Sequence, residues 1–226
     1  MYNLFLLLKN INNYGVFTVL KIIFYEAFYI IKFRDIDTLN YKDTESSSYK
    51  ETMDKKTYDT PYIPTPYYFL KIAADNLKKN KINNFLLLDL GCGYSRAQKF
   101  FSASFKSLFL GVDIDSEIID SLKKKKINEA HFLNLNLRNS KKNNQLLGKI
   151  KELKKNRELV IFFSDSFDLF LLNKILKKIS IKFNYYCIIV NLRNKNLLKI
   201  KYMTLLNKKF KSQNRNIKIL KINEKK

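Results

Sequence analysis

The chain is 226 residues long with 46% hydrophobic residues, enough to bury a sizeable core and to make one α/β domain with an appendage. Two cysteines without a C-x-x-C pair and a single histidine exclude a disulfide framework and a zinc site, and leave a reducing cytoplasm as the default compartment. A net charge of +23 suggests nucleic acid or an anionic membrane, but Lys far outnumbers Arg, Asn and Ile abound and Trp is absent, the pattern of AT-rich coding rather than of selection for phosphate contacts.

Residues 1 to 34 are rich in Leu, Ile, Phe and Tyr, interrupted by Lys9, Lys21, Glu26, Lys32 and Arg34. No uncharged apolar run reaches the ~20 residues of a spanning helix, and no basic start with a small-residue cleavage site marks a signal peptide. Val16 to Ile31 reads as a helix that is apolar nearly all round. Such a helix must hide two faces: against its own domain, against a second subunit, or in a membrane interface. We adopt packing on the domain, with peripheral membrane contact as the alternative.

Asp35 to Lys56 is polar and reads as a linker, so residues 1–60 form a helical extension and linker, and residues 61–226 the main domain. In Tyr62-Ile-Pro-Thr-Pro-Tyr-Tyr68 the two prolines stiffen the backbone, and Thr65 is placed to cap a helix that starts at Pro66 and runs to Lys79. Its apolar positions, Tyr67, Leu70, Ile72, Ala73 and Leu77, would pack beside the first strand.

The chain is organised around Phe85-Leu-Leu-Leu-Asp-Leu-Gly-Cys-Gly-Tyr-Ser-Arg96. A buried parallel strand stops at Asp89 and Gly91, and an amphipathic helix follows from Ser95 to Phe105. Gly91 and Gly93 let the backbone approach a ligand at the carboxyl end of a strand. The third glycine of a dinucleotide fingerprint is missing, since Arg96 holds that place. Asp89 would repel a pyrophosphate and favour an ammonium or sulfonium group, which suits S-adenosylmethionine better than NAD. A second apolar strand, Leu108-Phe-Leu-Gly-Val-Asp113, ends in an acid about 20 residues past the loop, where a ribose-binding carboxylate belongs.

Asp-Leu-Gly-Cys-Gly at 89–93, followed by this strand, resembles motif I of the class I S-adenosylmethionine-dependent methyltransferases. The Pro-Thr-Pro-Tyr lead-in, Ile36-Asp37-Thr38 and Arg96 are similar to a largely uncharacterised bacterial group of that class, whose loop commonly reads D-x-G-C-G-K-G-R; here Tyr94 and Ser95 replace the Lys and Gly. The resemblance implies a Rossmann-like, doubly wound, mostly parallel seven-stranded sheet with S-adenosylmethionine as cofactor. It assigns Asp89, Gly91, Cys92 and Gly93 to the methionine end of that cofactor, Asp113 to the ribose and Asn136, with Asn134 as the alternative, to the adenine amino group.

Beyond Asp113, Asp115 or Ser116 can cap a helix to Lys125, where four lysines complement the helix dipole. Ala130 to Leu135 is a third strand; His131, in or beside it, is assigned a structural role. Ser140 to Lys155 is partly helical, and Leu159 to Phe163 is a fourth buried strand leading into Ser164-Asp-Ser-Phe167. The related group tends to have Asn-Pro-Phe there. Asp165 is therefore the catalytic candidate, as hydrogen-bond acceptor or base for an acceptor amine, with Tyr67 and Phe167 as pocket walls. An equally weighted reading is a strand-end turn with Ser166 capping the next helix. Phe167 to Ile179 reads as that helix and Tyr185 to Val190 as a fifth strand; Leu197 to Phe210 and Ile217 to Ile222 supply a helix and the last strands.

The function expected is methyl transfer to an unidentified acceptor, with no metal. Nucleic acid is compatible with the charge but has no recognition motif behind it. Two rivals are a degenerate cofactor-binding scaffold, suggested by the departures at Tyr94, Ser95 and Asp165-Ser166, and a basic RNA-binding protein that uses the fold as a platform.

Overall fold

The computed structural model describes residues 15–34, 64–139, 142–164, 169–190, 203–205 and 218–222. The elements in chain order are α1 (Val16–Phe33), α2 (Tyr67–Lys79), β1 (Asn84–Leu90), α3 (Arg96–Ser102), β2 (Lys106–Asp113), α4 (Ser116–Lys124), β3 (Ala130–Asn134), α5 (Lys142–Lys154), β4 (Glu158–Ser164), α6 (Leu169–Ser180), β5 (Tyr185–Val190), β6 (Met203–Leu205) and β7 (Lys218–Ile222). β6 falls inside the stretch from Leu197 to Phe210.

The strands lie in the order β3-β2-β1-β4-β5-β7-β6. The first five are parallel, and β7 runs antiparallel to both β5 and β6. The order reverses at β1, whose chain continues outward to β2 on one side while β4 lies on the other, and this is where an open α/β sheet leaves a crevice.

Alternation along the buried strands builds a core on each face of the sheet. Leu86, Leu88 and Leu90 of β1 face the layer that holds Leu146 and Ile150 of α5 and Leu172 and Leu176 of α6. Phe85 and Leu87 face the other layer, with Leu70 and Leu77 of α2, Phe100 and Phe101 of α3 and Ile119 of α4. Burial of these side chains stabilises the sandwich by roughly 2 kcal/mol each.

α1 joins the second layer. Ile22, Tyr25, Tyr29, Ile30 and Phe33 pack against it, and Tyr29 stands edge-on to Phe100 at 5.1 Å. The apolar character of α1 on every side thus has a partial explanation: one face packs on the domain, and the opposite face is exposed.

The cap expected from Thr65 does not form. α2 begins at Tyr67, with Pro66 in the cap position and no side-chain capping bond from it. Instead the Tyr67 N–H donates to Glu26 Oε1 of α1, 41 residues away, at 2.5 Å, and the Thr65 carbonyl accepts from Arg96. The orphan donor of the first turn is satisfied from another helix. Asp115 does cap as expected: its Oδ1 accepts from the Glu117 and Ile118 N–H groups.

Candidate functional site

The site is assembled at the carboxyl ends of the central strands. Parallel register sets Asp89 of β1 opposite Gly111 of β2, Asp113 opposite Asn134 of β3, and Leu90 opposite Phe163 of β4. The loop after β1 is pinned at several points. Gly91 and Cys92 donate their N–H groups to the Val112 carbonyl at 2.8 and 3.0 Å, and the Ser95 N–H reaches the Cys92 carbonyl. Gly91 and Gly93 take positive φ, 82° and 46°. Ser95 does so too, at φ 66° and ψ 35°. This residue keeps the left-handed turn that glycine adopts freely, and its hydroxyl is buried without a hydrogen-bond partner.

Two carboxyls stand at this loop. Asp89 is 3% exposed at the end of β1, and burial together with the neighbouring Asp113 charge pushes its carboxyl well above the usual range. Both influences act in the same direction. Asp113 is also raised by burial, partly offset by hydrogen bonds: its Oδ1 accepts the Asp115 N–H at 3.0 Å and its Oδ2 the Gly93 N–H at 2.9 Å. Asp113 therefore ties the glycine loop to the end of β2. The Ile114 N–H also stabilises its charged form, so only the lone pairs left by these three amides are open to a ligand hydroxyl.

Cys92 joins the loop to β2 through its backbone N–H, and its side chain is turned into the core. The residue is 5% exposed, and burial followed by the two nearby aspartates holds its thiol well above its ordinary value. It is accommodated because residue 111 is glycine: a Cβ there would come within 2.9 Å of Cys92 Sγ and 2.7 Å of the Phe109 ring. Asn136 is half-buried, and its Oδ1 accepts the Arg138 N–H at 3.0 Å, so the atom expected to meet an adenine also closes a turn. Asn134 braces the neighbouring strand ends, donating to the Ile114 carbonyl at 2.8 Å.

Tyr67 departs from the pocket wall expected of it. It has no exposed surface, and its ring lies 4.5 Å beneath the Arg96 guanidinium, beside Tyr29 and Phe100. Apolar and cationic neighbours on the same aromatic ring make it a support. Arg96, 4% exposed, donates to Glu26 Oε2 at 2.8 Å and to the Thr65 carbonyl at 3.2 Å. Glu26 was not singled out from the sequence as more than an interruption of an apolar helix. The signal was its position: a lone acid on a face that otherwise packs. Asp165 and Phe167 lie outside the described residues; Ser164, which precedes them, follows the Phe163 that pairs with Leu90.

No family profile and no curated protein matches the sequence. Solved structures do match. A candidate methyltransferase of Escherichia coli, yhhF, superposes with a TM-score of 0.50 over 69% of this chain and 85% of its own, at 11% identity. The chain has the fold of the methyltransferases. An RNA methyltransferase from Salinibacter ruber in complex with S-adenosylhomocysteine matches at a TM-score of 0.45 and 14% identity over 73% of this chain and 96% of that one. The plantazolicin methyltransferase BpumL, also with S-adenosylhomocysteine, matches at 0.36 and 18% over 54% of this chain. The chain spans only 45% of BpumL. In the methyltransferase fold of this chain, the glycine loop and both aspartates share one end of the sheet.

Proposed function

We propose that the chain is an S-adenosylmethionine-dependent methyltransferase of class I, with β7 and β6 completing its seven-stranded sheet. The observation that carries this reading is the pair of carboxyls, Asp89 buried and Asp113 half-buried, at the ends of neighbouring parallel strands beside a positive-φ glycine loop. Two such groups repel each other in a low-dielectric site, and a ligand bearing ammonium and sulfonium charge relieves both the burial and the repulsion. A pyrophosphate would aggravate them. S-adenosylmethionine supplies a methyl group on a sulfonium, whose departure leaves a neutral thioether.

The protein's part is then binding and orientation. Asp89 faces the methionine end, Asp113 offers its remaining lone pairs to the ribose hydroxyls, and Asn136 uses its second oxygen lone pair for the adenine amino group. Asp165 orients an acceptor amine and takes its proton, with Phe167 as a wall of the acceptor pocket. The Ser95 geometry speaks against the scaffold alternative at the cofactor loop, because the substitution leaves the left-handed turn in place.

Replacing Asp165 with Ala tests the acceptor half of the reading. Cofactor affinity should persist while methyl transfer falls at least about a hundredfold, the scale of one lost acid–base group. Turnover that survives would remove Asp165 from the chemistry.

A further inference from the structure

α1 carries two chemically different faces. The inward face packs on the domain, and its one acid, Glu26, is taken up by Arg96 and the Tyr67 N–H. The outward face is a continuous apolar stripe: Phe17 is 82% exposed, Ile31 78%, Phe24 67%, Leu20 56% and Phe28 49%. At ~100° per residue these side chains fall within an arc of about 80° along a helix about 27 Å long. Lys21 and Lys32 border one edge of the stripe and Arg34 closes its end; all three are exposed, and no acid lies on this face.

We propose that the outward face of α1 docks the protein onto an anionic lipid surface, the helix lying in the plane of the interface. The occupant is chosen by charge. A stripe of large apolar side chains bordered only by cations, on a chain of net charge +23, is complementary to acyl chains beneath anionic headgroups. A second copy would set the same lysines and the same net charge against themselves. Lying flat also agrees with length and polarity, since among the described residues no helix is long and apolar enough to cross a membrane. Because Glu26 joins the inward face of α1 to Arg96, the first residue of α3, docking would hold the glycine loop at a fixed distance from the lipid, with the helix, about 10 Å across, between them. The proposal stands independently of the chemistry assigned to that loop.

Flotation of the full chain with phosphatidylcholine vesicles, with and without phosphatidylglycerol, is the test, alongside light scattering without lipid. The intact protein should rise with the anionic vesicles and stay behind with the neutral ones. The double variant Phe17→Ser, Phe24→Ser changes two exposed side chains and no charge, and should bind about tenfold less or weaker. Lys21→Gln with Lys32→Gln should weaken binding and flatten its salt dependence. Three results would overturn the proposal: no preference for anionic vesicles, flotation undiminished by the serine pair, or a dimer in solution that Phe24→Ser dissociates, which would make a second copy the occupant.

Discussion

Ser95 combines two unfavourable features in one residue: a left-handed backbone, which costs a residue with a Cβ about 1 kcal/mol, and a buried hydroxyl without a partner. Ser95→Gly removes both, against the entropy glycine loses on folding. Chemical denaturation should show the variant more stable by about 1 kcal/mol, and a loss would mean that the hydroxyl has a use in the folded state. The two aspartates give the apo protein a pH dependence of definite sign. Their raised folded-state pKa values mean that the folded chain holds protons which the unfolded chain has already released. The corresponding stability is complete below the ordinary aspartate range and is lost as pH rises through the raised values. Unfolding midpoints across acid to neutral pH should fall in that direction, and less so in Asp89→Asn. Both cysteines are buried with raised pKa, so neither should react with a thiol reagent until the chain unfolds. At this scale the sequence revealed the loop and both acids by type and spacing. It could not reveal that Cys92 points inward over Gly111 or that Asp113 is already engaged by Gly93, because both depend on how two strands sit side by side. For the same reason Asp113→Ala is a poor test of ribose binding, since it also releases the loop.

The elements were legible wherever the apolar period was strong. β1, β2, β4 and β5 follow uninterrupted apolar runs, and α4 follows its Asp115 cap. The start of α2 was misread because its capping partner is remote: local chemistry nominated Thr65, whereas Glu26 reaches across from α1. That contact gives the extension its place. Arg96, Glu26 and the Tyr67 ring form one assembly, and taking the acid away from a buried guanidinium is costly even though the Thr65 carbonyl and the Tyr67 ring stay beside it. Glu26→Ala should therefore destabilise the protein by about 3 kcal/mol, whereas replacing Glu26 and Arg96 together with apolar residues of similar volume should cost much less. Urea titration of the single and double variants checks this. Equal losses in both would mean that the charges are not coupled. Arg96 thus has a structural explanation, although it had been noted only as part of the loop motif.

For the molecule as a whole, a five-stranded parallel run with β7 reversed, glycines at the strand ends and two carboxyls beside them are the features on which the proposal of a cationic nucleoside ligand rests. The fold could be anticipated because strand order follows from alternating strands and helices under a right-handed crossover. The acceptor could not, because Ser164-Asp-Ser-Phe167 holds few residue types that specify a partner. The decisive measurement is calorimetric titration of the purified chain with S-adenosylmethionine, S-adenosylhomocysteine and NAD, each in two buffers of different ionisation enthalpy. The account predicts that the first two bind and NAD does not. It also predicts that a bound cation lowers the raised pKa of the Asp89 carboxyl, so that protons released on binding appear as a buffer-dependent heat that shrinks in Asp89→Asn. Binding of NAD in preference to the methyl donor, or no binding of either S-adenosyl ligand, would contradict it.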